Sequence, residues 1–158
     1  MGAIAASFTL ATLAMLGICW WAGRLTPKAG DVAAIAAVVA AFVAFSRVVS
    51  TVLHPPASMM FYPLQDALMV LICTAAYASE REKWKLDLAL CFVGQLVLHA
   101  WFWLGNDGDN ALLRNYIASN NYLFAGELTI LSVTGGRHVF DHVYHSAGVP
   151  GRGHLVSG

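Results

Sequence analysis

The chain has 158 residues, of which 58% are hydrophobic and only 11% are charged, and its formal net charge is zero. An ordinary soluble domain is about 25% charged and about 45–50% apolar, so a water-soluble globule would leave much of this apolar surface exposed. The balanced charge argues against a nucleic-acid partner. The composition indicates instead that the chain lies in a lipid bilayer.

Five apolar segments follow one another, at residues 3–23, 32–53, 58–79, 86–105 and 115–133. Each approaches the roughly 20 residues that a helix needs to cross about 30 Å of hydrocarbon. They are too long and too continuous for the strands of a membrane barrel, which alternate over about ten residues. The sequence therefore predicts an all-α, polytopic transmembrane bundle of five helices, or of four if residues 115–133 lie at the interface.

The first two segments carry further signals. The first lacks the charged start and the cleavage site of a signal peptide, so we expect a retained membrane helix. The second is rich in alanine at a spacing of four residues, which lets membrane helices approach closely. We therefore expect it to be the central packing helix. The alanines in question are Ala33, Ala37 and Ala41, and Ala36, Ala40 and Ala44.

Basic residues favour the cytoplasmic ends of membrane helices, so their distribution indicates orientation. They fall in alternate connections: Arg24 and Lys28 in the first, Arg81, Lys83 and Lys85 in the third, and Arg137 and Arg152 in the tail. Arg114, in the fourth connection, departs from this pattern. We expect an integral protein of a bacterial inner membrane, with the N-terminus outside and the C-terminus in the cytoplasm.

Two opposite charges flank the turn between the second and third segments. Arg47 lies nine residues before Pro56 and Asp66 ten residues after it, so both lie about 14 Å along their helices from the turn. A charge without a partner costs about 2.5–3.5 kcal/mol there even on a lenient scale, so we predict an Arg47–Asp66 ion pair. In the alternative, Pro63 begins the third helix, Asp66 lies in its first turn and Arg47 extends to lipid headgroups.

Further polar side chains lie within the predicted helices. An ionisable group inside a membrane helix is a candidate for function, because its burial is costly. Together with the two charges they form a candidate intramembrane polar cluster: Arg47, Gln65, Asp66, Gln95, His99, Asn120, Asn121 and Glu127. The other interpretation is structural, with the same groups joining helices or subunits and Glu127 protonated as a hydrogen-bond donor.

The end of the chain is polar and contains glycine and histidine, so we separate a tail, 135–158, from the bundle, 1–134. We interpret Gly135–Gly136 as a helix stop. His138, His142 and His145 share one helical face and are weak metal candidates, but we predict no metal. We favour an amphipathic interfacial helix there, and a loose chain beyond Ala147.

No cofactor is predicted. A b-type haem in a bundle needs two facing histidines, and His99 is the only histidine well inside a predicted helix. A haem would therefore require the second copy of His99 that a homodimer supplies. Cys19, Cys73 and Cys91 each lie alone in an apolar run, so we expect buried thiols without disulfides.

Short connections leave little room for a soluble catalytic site, so the sequence favours a protein that is not an enzyme. The first hypothesis is a small membrane protein that acts by assembly, as a homo-oligomer or as an accessory subunit bound to other membrane-protein chains. The second is a small transporter, channel or holin-like pore that uses the polar cluster. The third is a redox subunit associated with haem or quinone.

Overall fold

The computed structural model describes residues 2–53, 60–105 and 110–146, and this part of the chain is all-α, as predicted. The helices are α1 (Gly2–Leu25), α2 (Gly30–Val52), α3 (Phe61–Glu80), α4 (Lys83–Gly105) and α5 (Asn110–Ser146), with a short 3-10 helix at Pro27–Ala29. Helices α1 to α4 each coincide with one predicted apolar segment, and α5 contains the fifth, 115–133. The predicted turns around Pro55 and at residues 106–109, and the tail from Ala147 onward, lie outside the described residues.

Four of these helices, α1 to α4, are long and apolar enough to cross a membrane. In the described part of the chain, α5 does not meet that criterion. It is nevertheless 37 residues long, which corresponds to about 55 Å. The fold is therefore a helical bundle with four candidate membrane spans, and the crossing of the membrane by α5 stays a prediction.

Local sequence explains where the helices end. Thr26 precedes Pro27 and is extended, with φ −136° and ψ 130°, because the proline ring disfavours a helical residue before it. Arg81 ends α3 in the left-handed conformation, with φ 54°. Its backbone N–H donates to the carbonyl of Tyr77 at 2.7 Å, so α3 turns directly into α4.

The helices pack in the order α2, α1, α5, α4, α3, and α2 touches α3 and α5 only lightly. The prediction that α2 is the central packing helix was therefore wrong. One alanine face of α2 does pack closely, since a Cβ on Gly23 of α1 would lie 2.9 Å from the Cβ of Ala33. Another face remains exposed, and the less apolar α5 lies between α1 and α4 instead.

Helix α5 runs continuously through Gly135–Gly136, so the predicted helix stop at this pair was wrong. Gly135 is buried, and a Cβ built on it would lie 3.0 Å from Sγ of Cys19 and 3.3 Å from its Cα. The glycine therefore allows α1 and α5 to approach, which is a common role of small residues between membrane helices.

The cysteines are free, as predicted: Cys19 and Cys73 are buried and Cys91 is half-buried. The Cys19 thiol donates to the carbonyl of Leu131 at 3.3 Å, which adds a polar contact where α1 meets α5. Nearer the start of α1, the rings of Phe8 and Phe124 lie 5.5 Å apart. These contacts advance in the same sense along both helices, so α1 and α5 run parallel.

Candidate functional site

A cavity of about 260 Å³ lies between α2, α3, α4 and α5. Each helix lines it with residues three or four positions apart, as α4 does with Phe92, Gln95 and His99, because one helical face points inward. All members of the predicted polar cluster line this cavity: Arg47, Gln65, Asp66, Gln95, His99, Asn120, Asn121 and Glu127. The structure thus brings the whole set together, while its functional role stays a prediction.

His99 of α4 is the centre of a hydrogen-bonded chain across three helices. Its Nε2 lies 2.8 Å from Oδ2 of Asp66 on α3, and its Nδ1 lies 2.8 Å from the hydroxyl of Tyr116 on α5. A neutral imidazole donates to the Asp66 carboxylate and accepts from Tyr116, whereas an imidazolium donates to both. His99 is only 2% exposed, so the protein rather than water supplies these partners.

Aromatic rings pack against the hydrogen-bonded residues His99 and Tyr116. Tyr62 lies nearly parallel to the His99 ring, with centroids 6.4 Å apart. On the other side, Phe102 stacks on Tyr116 at 4.3 Å. Two rings from α3 and α4 therefore restrict the orientations of the imidazole and the phenol.

The predicted ion pair named the wrong partner for Asp66, which pairs with His99 and not with Arg47. The reason is the packing of the helices: α3 lies against α4 and only lightly against α2, so its buried face meets α4. Arg47 is exposed and lines the same cavity near the end of α2. The alternative prediction began α3 at Pro63, which is the third residue of the helix. It also placed Asp66 in the first turn, whereas Asp66 lies beyond that turn and is buried.

Three buried polar atoms of the cavity lining have no hydrogen-bond partner among the described residues. They are Nε2 of Gln65, Oδ1 of Asn120 and Oε1 of Glu127. Ser46 donates to Oε1 of Gln65 at 2.8 Å, which leaves the amide N–H groups of Gln65 unused. Buried polar groups are nearly always satisfied in folded proteins, so these atoms mark a place where a bound molecule or water belongs.

The remaining lining residues are largely apolar, and on α2 their exposure increases toward the end of the helix. Phe42, Phe92 and Phe124 supply rings from three helices. Arg47 and Ser50, which also line it, are exposed. The lining therefore changes from polar and accessible at one end to buried around Glu127, which is 1% exposed.

Sequence reasoning missed Tyr116, Tyr62 and Ser46 in this site. Tyr116 could have been found, since it lies four residues before Asn120 and so shares its helical face. Reasoning from sequence also assigned Lys85 to a basic connection. The structure buries Lys85 completely, at 2.7 Å from Asp31 and 3.4 Å from Glu82, with Glu80 as a third partner.

The weak metal candidates His138, His142 and His145 all lie on α5. The backbone carbonyl of Asp141 lies 2.6 Å from Nδ1 of His145. The described residues contain no group of three or more histidine, cysteine or acidic side chains placed to hold a metal ion. Haem ligation by His99 would have to break one of its two hydrogen bonds, and a haem or quinone role stays a prediction.

The fold and the site define a class: the described part of the chain is an all-α bundle that has four candidate membrane spans, α1 to α4, and a polar cavity lined by α2, α3, α4 and α5. The chain matches no protein-family model, no curated protein and no solved structure.

Proposed function

We propose that this chain is a membrane conduit that binds a small polar solute in the cavity between α2, α3, α4 and α5. The observation that carries the proposal is the convergence of polar side chains from four helices on one cavity with three buried, unsatisfied atoms. Polar groups in membrane helices are expensive, and ones that face a cavity are typical of substrate or ion pathways. Groups that merely joined helices would be expected to satisfy one another.

The size of the cavity limits the solute. Sites for drug-sized ligands measure about 300–1,000 Å³, and this cavity measures about 260 Å³. A solute of a few heavy atoms fits. The exposed side chains of Arg47 and Ser50 at the end of α2 mark the end from which it enters.

Flux through proteoliposomes tests this function. We expect liposomes that contain the full chain to take up at least one of two small polar probes, the charged ethanolamine or the neutral ethylene glycol, faster than protein-free liposomes. Asn120→Leu removes a cavity acceptor and should slow the uptake at least fivefold. Asn115→Leu is the matched control, because Asn115 is exposed on the same helix and does not line the cavity. Uptake no faster than in protein-free liposomes would remove the proposal.

Assembly is the second candidate, and the outer face of α2 favours it. Ala34, Ala37, Ala41 and Ala44 are exposed at spacings of three and four residues, so they form one stripe. Small residues of this kind let helices of two chains pack closely. The proposed partner is a second copy of the chain. Ala37→Leu should then reduce the dimer fraction in native mass measurements in mild detergent, whereas a strictly monomeric wild type would count against assembly.

The orientation follows from the same basic residues that the sequence presents. We place the chain in a bacterial inner membrane with the N-terminus outside. Arg24, Lys28 and Arg81 then lie at the cytoplasmic ends of their helices. The cavity opens toward the outer end of the bundle in this orientation, because α2 runs from the cytoplasmic side to the outer side.

A further inference from the structure

Two carboxyl groups line the cavity, Asp66 and Glu127, and among the described residues only Asp66 is hydrogen-bonded to another side chain. His99 contacts Asp66 at 2.8 Å, and the exposed Arg47 lies toward the other end of the lining. Glu127 is 1% exposed, and its Oε1 has no hydrogen-bond partner in the described structure. Phe92 on α4 and Phe124 on its own helix line the cavity with it and offer no hydrogen-bond donor. A carboxyl group in such surroundings stays ionised only when a cation from outside the chain binds beside it.

The side-chain amides of Asn120 and Gln65 indicate which further hydrogen-bonding groups a bound molecule would have. Oδ1 of Asn120 lacks a donor, as Glu127 does, so two acceptors seven residues apart on α5 face the cavity. Gln65 has the opposite need, because Ser46 already occupies its Oε1 and its N–H groups lack an acceptor. A molecule that satisfies all three groups donates from one end and accepts at the other.

The aromatic lining favours an organic cation over a metal ion. Phe42, Phe92 and Phe124 line the cavity, and the electron-rich face of an aromatic ring attracts an ammonium group. Hard metal ions prefer six or more oxygen ligands, and one carboxylate with amide oxygens beside phenyl rings does not supply them.

We propose that the cavity binds a small protonated amino alcohol, whose ammonium group pairs with Glu127 and Asn120 and whose hydroxyl accepts from Gln65. This inference rests on the proposed function and names its substrate class. Glu127 is the counter-ion of the ammonium group. The Gln65 amide distinguishes an amino alcohol from a plain alkylamine, since only the former offers the amide N–H donors an acceptor.

Binding to the full chain in lipid nanodiscs tests the inference with four small probes. Radiolabelled ethanolamine should bind saturably. Ethylamine, which lacks the hydroxyl, should compete several-fold more weakly. Ethylene glycol, which is neutral and of the same heavy-atom count, and glycolate, which is an anion, should not compete. Sodium chloride at the same concentration should leave binding unchanged.

A pair of variants locates the site. Glu127→Gln removes the counter-ion and should weaken ethanolamine binding at least tenfold, about 1.4 kcal/mol. Asp87→Asn makes the same change at an exposed position outside the cavity and should leave the affinity unchanged. Glu127→Gln should not lower the thermal midpoint, because the amide has nearly the same shape as the carboxyl group and brings no charge into the buried site. Should it unfold the chain, the probe series on the unaltered protein still decides.

The outcomes distinguish a failure of the amino-alcohol assignment from a failure of the proposed conduit function. Equal competition by ethylene glycol, displacement by sodium, or full affinity in Glu127→Gln overturns the amino-alcohol assignment. Faster uptake of neutral solutes by proteoliposomes would then still support a conduit. An absence of ethanolamine binding together with an absence of solute uptake overturns both.

Discussion

Lys85 is a charged residue with a fully buried side chain in the first turn of α4, and its burial depends on carboxylates from three elements. Its ammonium group contacts Asp31 at the start of α2, Glu80 at the end of α3, and Glu82 in the connection between α3 and α4. The partners are 40–51% exposed, so water stabilises them while the lysine supplies the bridge. One buried ammonium thus joins the ends of three helices.

Lys85→Met keeps the aliphatic stem and removes the charge. We expect it to lower the free energy of unfolding by about 1–3 kcal/mol, because charge-assisted hydrogen bonds are lost while the carboxylates remain hydrated. Unfolding in mixed micelles with increasing dodecyl sulfate measures this loss. The exposed Lys83 gives the control Lys83→Met, which should change stability by less than about 0.5 kcal/mol. Equal effects of the two variants would contradict the bridging role.

Polar residues of the cavity could be predicted because few polar side chains interrupt the apolar segments, and each one is costly enough to require a reason. Their partners could not be predicted in the same way. Asp66 sits at a depth that Arg47 and His99 share, and only the contact of α3 with α4 selects His99. Depth follows from position along one helix, whereas pairing depends on which helices are neighbours.

At the scale of elements, α5 is the helix that differs most from its prediction. Hydropathy located its apolar middle, residues 115–133, but the helix extends to Asn110–Ser146. The other helices begin and end within three residues of their predicted bounds. A glycine pair is equally compatible with a helix end and with a site of close helix packing. What decides between them is that Cys19 lies beside Gly135, and the sequence alone does not show this contact.

Gly135→Ala and Gly136→Ala form a matched pair on α5. Alanine favours a helix over glycine by about 1 kcal/mol, and nothing lies within 4 Å of a Cβ at Gly136, so Gly136→Ala should stabilise the protein. At Gly135 the new methyl would lie 3.3 Å from backbone Cα of Cys19, which cannot turn aside as a side chain does. Gly135→Ala should cost about 1–3 kcal/mol from overpacking, less the propensity gain.

Thermal unfolding in detergent measures both glycine variants under identical conditions. The order of midpoints should be Gly136→Ala, wild type, Gly135→Ala, from highest to lowest. A Gly135→Ala protein as stable as Gly136→Ala would show that α1 and α5 do not approach at this position.

At the scale of the whole molecule, the described helices pack in the order α2, α1, α5, α4, α3, and α2 completes the wall of the cavity through sparse contacts with α3 and α5. The sequence predicted the class and the number of helices but not this order, because every apolar helix satisfies the bilayer equally well and adjacency depends on side-chain fit. Helices α2 and α3 run antiparallel, since Lys85 contacts both the start of α2 and the end of α3. The end of α2 and the end of α3 therefore lie at opposite ends of the bundle.

Two exposed positions test that orientation. Thr51 lies near the end of α2 and Ser79 near the end of α3. A membrane-impermeant maleimide should label Thr51→Cys on intact spheroplasts and Ser79→Cys only after permeabilisation. The native cysteines are buried or half-buried, and the wild type gives their background labelling. Labelling of Ser79→Cys alone on intact spheroplasts would invert the proposed topology.

Two side-chain hydrogen bonds join α2 to the neighbouring helices α4 and α3. Asp31, in the first turn of α2, accepts from Lys85 at the start of α4, and Ser46, further along α2, donates to Gln65 of α3. Beyond Ser46, the last turns of α2 carry exposed Arg47 and Ser50 along the cavity. A solute that enters past Arg47 and Ser50 would therefore meet the Ser46–Gln65 bond before it reaches the chamber around Glu127. Selection by size would then fall at this crossing of the two helices, ahead of any recognition by the carboxyl group.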